Sequence, residues 1–251
     1  MIALFDIGNT HTHIGLADGC KVTRHADIPT KGWADGSAQR IATAFFNGRT
    51  LKGAALCSVV PDVTPLVAAF VRKKAGLTVL QLTAKTVRGV GIDYPAPHTI
   101  GPDRLANAVA ARTHYGAPSV VVDFGTAVTF DVIDRNGNYA GGIIAPGLNV
   151  MTDYLHEKTA LLPRIQIRDV TAIVGKNTEQ AMLIGAVHGY RGLIRQLVAE
   201  LKTALRCRRL PVVATGGYGK LIAAKMPEIT AVEPLLTLEG LRLVWQSHAD
   251  T

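Results

Sequence analysis

Val120-Val121-Val122-Asp123-Phe124-Gly125-Thr126-Ala127-Val128-Thr129-Phe130-Asp131-Val132-Ile133 begins as a short apolar run suited to a buried strand, breaks at Asp123 to Thr126, and resumes as a second β-rich run. Asn136-Gly137 then marks a tight hairpin turn. An Asp, a Gly and a Thr at the handover between strands can close a backbone around a phosphate. Glycine permits close approach, the threonine hydroxyl donates a hydrogen bond, and the carboxylate holds a cation or its water. A single Asp-x-Gly turn is commonly no more than a turn, but this chain has two. Ala3-Leu4-Phe5-Asp6-Ile7-Gly8-Asn9-Thr10 repeats the apolar run, the acid, the glycine and the small polar residue, and Ile14 to Gly19 supplies another strand ending in a hairpin signal. Two like half-sites in 251 residues predict two α/β domains, residues 1–115 and 116–251, with the boundary near Tyr115.

Composition agrees. Hydrophobic residues make up 48% of the chain and charged ones 18%, which allows a sizeable core and excludes disorder as the main state. No apolar run reaches membrane-spanning length, and Asp6 interrupts what would have to be a signal peptide, so a soluble cytoplasmic protein with no membrane partner is expected. Cys20, Cys57 and Cys207 are odd in number and widely spaced, which argues against a disulfide framework or a structural zinc site. The net charge of +8 is spread out, with local clusters only at Arg72-Lys73-Lys74 and from Lys202 to Arg209. Both fall where helix ends are expected, so the charge reads as solvated helix C-termini and attraction for anionic substrates rather than a nucleic-acid face. His11 and His13 share a strand face but have no carboxylate or Cys partner nearby in sequence, and they read as solvent-facing rather than as metal ligands.

Thr83 to Ile100 lacks a helical period and is broken repeatedly by Gly and Pro. It delivers Gly101-Pro102-Asp103-Arg104, with Pro placed to start a helix that runs to about His114 and carries Ala106, Ala108, Ala110 and Ala111. Asp103 can complement the helix dipole. It can also be a positioned carboxylate beside an anion-binding guanidinium, as a kinase for an acidic alcohol requires. Further on, Asn177 and Gln180 cap a long helix reaching about Leu205, with Gly185, Gly189 and Gly192 along one line. Small residues on these two helices predict a homodimer contact, or else packing inside one subunit. Gly216-Gly217-Tyr218-Gly219 reads equally as a rest for a nucleotide and as a plain strand-to-helix turn. Neither the GxGxxG nor the GxxxxGK[ST] pattern occurs, so any ATP is held another way.

The two phosphate turns with the late Gly-Gly turn resemble the actin, sugar-kinase and Hsp70 ATPase superfamily. That resemblance implies two ribonuclease H-like domains of α/β class with a nucleotide cleft between them. Within it, Tyr94-Pro95-Ala96-Pro97, Gly101-Pro102-Asp103-Arg104, Gly141-Gly142-Ile143-Ile144-Ala145-Pro146-Gly147 and Gly175-Lys176-Asn177-Thr178 together resemble the type III pantothenate kinases, from Met1 to about Trp245. The resemblance implies ATP-dependent phosphorylation of pantothenate to 4'-phosphopantothenate, the first step of coenzyme A biosynthesis. It implies a homodimer using Mg2+ or another divalent cation and K+ or NH4+. Residue by residue, it implies that Asp6, Gly8, Asn9, Thr10, Gly125 and Thr126 hold the nucleotide phosphates, Asp6 also serving the divalent cation and Asp123 the monovalent one. Asp103 would be the general base; Tyr94, Gly101, Pro102 and Arg104 would bind pantothenate, and Thr178 would reach it across the dimer. His11 and the segment from Pro97 to Ile100 depart from the family pattern. A kinase for another small acidic alcohol, or a kinase-fold regulator of the accessory transcription factor kind, is the alternative.

Overall fold

The structure, a computed structural model, describes residues 1–249. The chain forms two compact units, one of Met1–Gly116, Gly137–Ala140 and the chain from Leu235 on, the other of Ala117–Asn136 and Gly141–Pro234.

The first unit opens with strands β1 (Ile2–Ile7), β2 (His11–Ala17) and β3 (Val22–Pro29), followed by the short helix α1 (Gly32–Asp35) and α2 (Ser37–Phe46). Then come β4 (Gly53–Ser58), α3 (Thr64–Ala75), the two-residue strands β5 (Leu80–Gln81) and β6 (Gly91–Ile92), and α4 (Pro102–Tyr115). Its sheet runs β3-β2-β1-β4-β5, with β1 antiparallel to β2 and parallel to β4. Because side chains alternate along a strand, Ala3, Phe5 and Ile7 of β1 face one way. They join Ile14, Leu16, Trp33, Phe46 and Val67 in a core closed by α1, α2 and α3. Arg72, Lys73 and Lys74 fall in the last turn of α3, where cations complement the helix dipole.

The second unit contains β7 (Ser119–Phe124), β8 (Ala127–Ile133), most of β9 (Asn138–Pro146), α5 (Leu148–Lys158), α6 (Thr178–Ile184), α7 (Tyr190–Ala204), β10 (Val212–Thr215), α8 (Gly219–Ala223) and β11 (Ala231–Val232). One π turn, Gly185–Gly189, joins α6 to α7 into the single long helix that the periodicity predicts. Its strands run β9-β8-β7-β10-β11, with β7 antiparallel to β8 and parallel to β10. This is the plan of the first sheet again, so the repeated motif marks a repeated fold.

The last helix, α9 (Leu236–Ala249), groups with the first unit, although a boundary at Tyr115 assigns it to the second half. The physical reason is its fit to α4. Gly240 lies so close that a Cβ there would sit 2.0 Å from the Ala106 carbonyl, and Thr237 Oγ1 donates to the buried Asn107 Oδ1 at 2.9 Å. Ala106, Ala108, Ala110 and Ala111 are all fully buried. The small residues of α4 are therefore used inside the first unit, which corrects the expectation that they form a dimer surface.

Candidate active site

Asp6 stands at the end of β1, where the strand turns through Gly8, Asn9 and Thr10 into β2. The turn is held from behind. Gly8 N donates to His11 O at 3.0 Å, Thr30 N to Thr10 O at 3.0 Å, and Thr30 Oγ1 to Gly8 O at 2.7 Å. Buried Thr12 and Thr30 hydroxyls lie 3.1 Å apart, and Trp33 Nε1 donates to Thr12 at 3.1 Å. Asn9 and Thr10 are left exposed on a turn whose carbonyls are fixed.

Across the sheet, register places Asp6 between His13 of β2 and Cys57 of β4, with Asp27 of β3 beyond His13. His13 Nδ1 is 2.7 Å from Asp27 Oδ1, and because a carboxylate only accepts, that nitrogen carries the proton. The Cys57 thiol donates to Asp6 Oδ1 at 3.3 Å. Burial pushes the Asp6 carboxyl up to about 6; the charge of Asp103 adds to the rise, while His13 and the thiol bond oppose it. Burial, reinforced by the two acids, pushes the Cys57 thiol well above its usual value, so it is an inert neighbour rather than a nucleophile.

Asp103 lies in the first turn of α4, which starts at Pro102. Its Oδ1 accepts the Arg104 backbone N–H at 2.9 Å. Any side chain at position 101 would meet that oxygen, since a Cβ on Gly101 would lie 2.5 Å from it. Burial raises the Asp103 carboxyl, opposed by the Arg104 N–H and guanidinium. Both carboxyls, from different elements, thus hold their protons more tightly than a solvated acid, and the charge of Asp103 is felt at Asp6. A carboxylate adjusted toward neutral pH in this way suits proton transfer.

Arg104 and Tyr94 meet a residue that no sequence motif singled out. The Arg104 guanidinium carbon is 5.7 Å from the ring centre of Tyr139, and the Tyr94 ring stands edge-on to it at 6.2 Å.

The second turn belongs to the second unit. Asp123 is the penultimate residue of β7, Gly125 N donates to Ala127 O at 3.1 Å, and Gly147 N donates to Thr126 O at 3.0 Å. Gly216, at φ +83°, brings the end of β10 against it: a Cβ there would lie 2.5 Å from Asp123 Oδ1 and 2.7 Å from Phe124 N. That close approach is why glycine stands after Thr215. Gly125 and Thr126 are exposed. Tyr218 OH donates to Asn149 Oδ1 at 2.6 Å, tying the late glycine turn to α5. Thr178 is exposed on the first turn of α6, behind a cap in which Asn177 Oδ1 accepts Gln180 N at 2.9 Å and Gln180 Oε1 accepts Lys176 N at 2.9 Å.

The donor set near Asp6 is all oxygen apart from one imidazole and one neutral thiol. Among the described residues no three His, Cys, Asp or Glu side chains gather as a metal cage. One or two carboxylates beside an exposed backbone turn fit Mg2+, which keeps most of its shell as water and phosphate oxygen.

Both the doubled sheet plan and the paired Asp-x-Gly turns define a protein of the sugar-kinase and actin-like ATPase fold class. A conserved Campylobacter jejuni protein described as a Baf family transcriptional activator shares the fold at TM-score 0.64 and 19% identity, over 99% of this chain and all of that one. A Sinorhizobium meliloti protein described as a 2-dehydro-3-deoxygalactonokinase shares it at TM-score 0.57 and 11% identity, over 99% of each chain. Sequence goes further. A profile of the type III pantothenate kinases matches residues 2–200. The chain is 42% identical over 242 residues to the type III pantothenate kinase of Methylacidiphilum infernorum, covering 96% of this chain and 86% of that one. It is 44% identical over 241 residues to that of Akkermansia muciniphila, covering 96% of each. The chain belongs to the type III pantothenate kinase family. Among the described residues no helix is long and apolar enough to cross a membrane.

Proposed function

We propose that this chain transfers the γ-phosphate of ATP to the primary hydroxyl of pantothenate, giving 4'-phosphopantothenate for coenzyme A biosynthesis. The observation that carries the reading is the placement of Asp103 in the first turn of α4, its Oδ1 accepting the N–H of the Arg104 that follows it, with its charge felt at Asp6 of the first turn. Phosphoryl transfer needs positioning and charge neutralisation more than covalent help. Asp103 accepts the hydroxyl proton as the new O–P bond forms and the bond to the ADP oxygen breaks. Asp6, Gly8, Asn9 and Thr10 bind phosphate oxygens, as do Gly125 and Thr126, while Tyr94, Gly101, Pro102 and Arg104 hold pantothenate. Asp6 would hold a divalent cation, which when bound neutralises charge on the transferring phosphate.

A monovalent cation, K+ or NH4+, is assigned to Asp123. What supports it is the carboxylate of Asp123 near the end of β7, against which Gly216 is drawn so close that a Cβ there would lie 2.5 Å from its Oδ1. In a coupled assay of ATP consumption, pantothenate should stimulate turnover, and potassium should be needed for it. Turnover with another hydroxy acid but not pantothenate would overturn the acceptor. Equal rates in sodium-only and potassium buffers would overturn the monovalent site.

The working state is a homodimer in which Thr178 of one subunit reaches the pantothenate of the other. Supporting this is apolar surface on the second unit: Leu161 is 90% exposed, Ile173 70%, Val174 68% and Tyr154 59%. Gly185, Gly189 and Gly192 are open to close approach, with nothing within 4 Å of a Cβ at any of them. Light scattering at micromolar concentration should give twice the chain mass, and Leu161→Asp with Ile173→Asp should shift it toward the monomer and lower activity. A fully active monomer would overturn the dimer.

A further inference from the structure

Tyr139 follows the Asn136-Gly137 turn, and its backbone is fixed before its ring makes any contact. Asn138 and Tyr139 pair in parallel with Gly91 and Ile92 of β6, and Asp93 N donates to Tyr139 O at 2.9 Å. The four residues Gly137–Ala140 group with the first unit although the remainder of β9 belongs to the second. What this detour delivers is one aromatic ring, 1% exposed. The ring has the Arg104 guanidinium carbon 5.7 Å from its centroid and carries Tyr94 against it at an interplanar angle of 68°. Two acceptor-binding side chains from separate segments therefore rest on a third that is locked in a strand.

We propose that Tyr139 is a positioning residue for acceptor specificity: its ring fixes the Arg104 guanidinium in the orientation that pairs with a carboxylate on the acceptor. The inference rests on the reading of Arg104 as a pantothenate-binding residue. A guanidinium on a free side chain loses many rotamers when it pairs with a carboxylate; one already held by a ring loses fewer. The ring's negative quadrupole also attracts the cation, an effect that corresponds to about 3–30-fold in affinity for a partly desolvated pair. A guanidinium so held favours an acceptor that ends in a carboxylate over the same skeleton ending in an uncharged group.

The test compares wild type, Tyr139→Phe and Tyr139→Leu with two acceptors: pantothenate, and pantothenol, in which an uncharged hydroxymethyl group replaces the carboxylate. The Phe variant keeps the ring and should keep the pantothenate KM within about twofold. The Leu variant should raise the pantothenate KM about 3–30-fold. Its kcat, its ATP KM and its pantothenol KM should stay within about twofold, so that the preference for the charged acceptor falls by the same factor as the KM rises. Should the Leu variant not fold, Tyr139→Met, which fills the space without a ring, takes its place. An unchanged pantothenate KM, equal loss toward both acceptors, or a Phe variant as impaired as Leu would each overturn the proposal while leaving pantothenate phosphorylation intact. A wild type inert toward pantothenate would instead overturn the activity and this inference together.

Discussion

Asp103→Asn should lower turnover by about 10²–10⁴-fold, the range for a lost acid-base group, while the protein stays folded. The amide keeps size and the acceptor oxygen that receives the Arg104 N–H at 2.9 Å, so the first turn of α4 is preserved. What disappears is the proton acceptor. A helix-dipole role alone would cost about 0.3–1 kcal/mol of stability and leave chemistry nearly untouched. The structure sharpens the contrast, because Asp103 is held above its usual range by burial and adds to the charge that Asp6 feels. Removing it relieves that repulsion, so the thermal midpoint should hold or rise. Turnover and midpoint measured on one preparation separate the roles; an active, slightly less stable variant would remove Asp103 from catalysis.

Features written in consecutive residues were legible from the sequence. The two turns, the start of α4 at Pro102 and the Asn177 cap each depend on neighbours within four positions, and each lies where the residues indicate. Features set by pairing across strands were not. His13 has no acid near it in sequence, yet β2–β3 register brings Asp27 to 2.7 Å, which corrects the picture of a partnerless histidine. The Cys57 contact with Asp6 was hidden for the same reason, since it exists only through the pairing of β1 with β4. Tyr139 reads as an ordinary strand aromatic until β6 pairs beside it. The Ala-rich run of α4 reads as a contact surface because sequence shows that small residues invite close packing but not which helix accepts; α9, more than a hundred residues later, does.

Asp6→Asn should make the protein more stable at neutral pH while lowering turnover by about 10²–10³-fold, the scale for losing a preorganised charge contact. In the folded chain the Asp6 carboxyl is raised from 3.8 to about 6, chiefly by burial. The folded state thus holds this proton more tightly than the unfolded chain does. Stability from this residue is fully present below pH ~4, is lost as pH rises from ~4 to ~6, and stays lost above that. A rise of this size, partly screened by solvent, corresponds to roughly 1–3 kcal/mol, or about 2–12 °C in a domain pair of this length. Asparagine has no charge to bury, so its advantage should be absent near pH 4 and grow through pH 6 to a plateau. Magnesium with nucleotide should raise the midpoint of the wild type more than that of the variant, because the anion that destabilises the turn is the group that holds the metal. A variant less stable than wild type at pH 7, or a gain that does not change with pH, would mean that Asp6 is not the strained acid of this site.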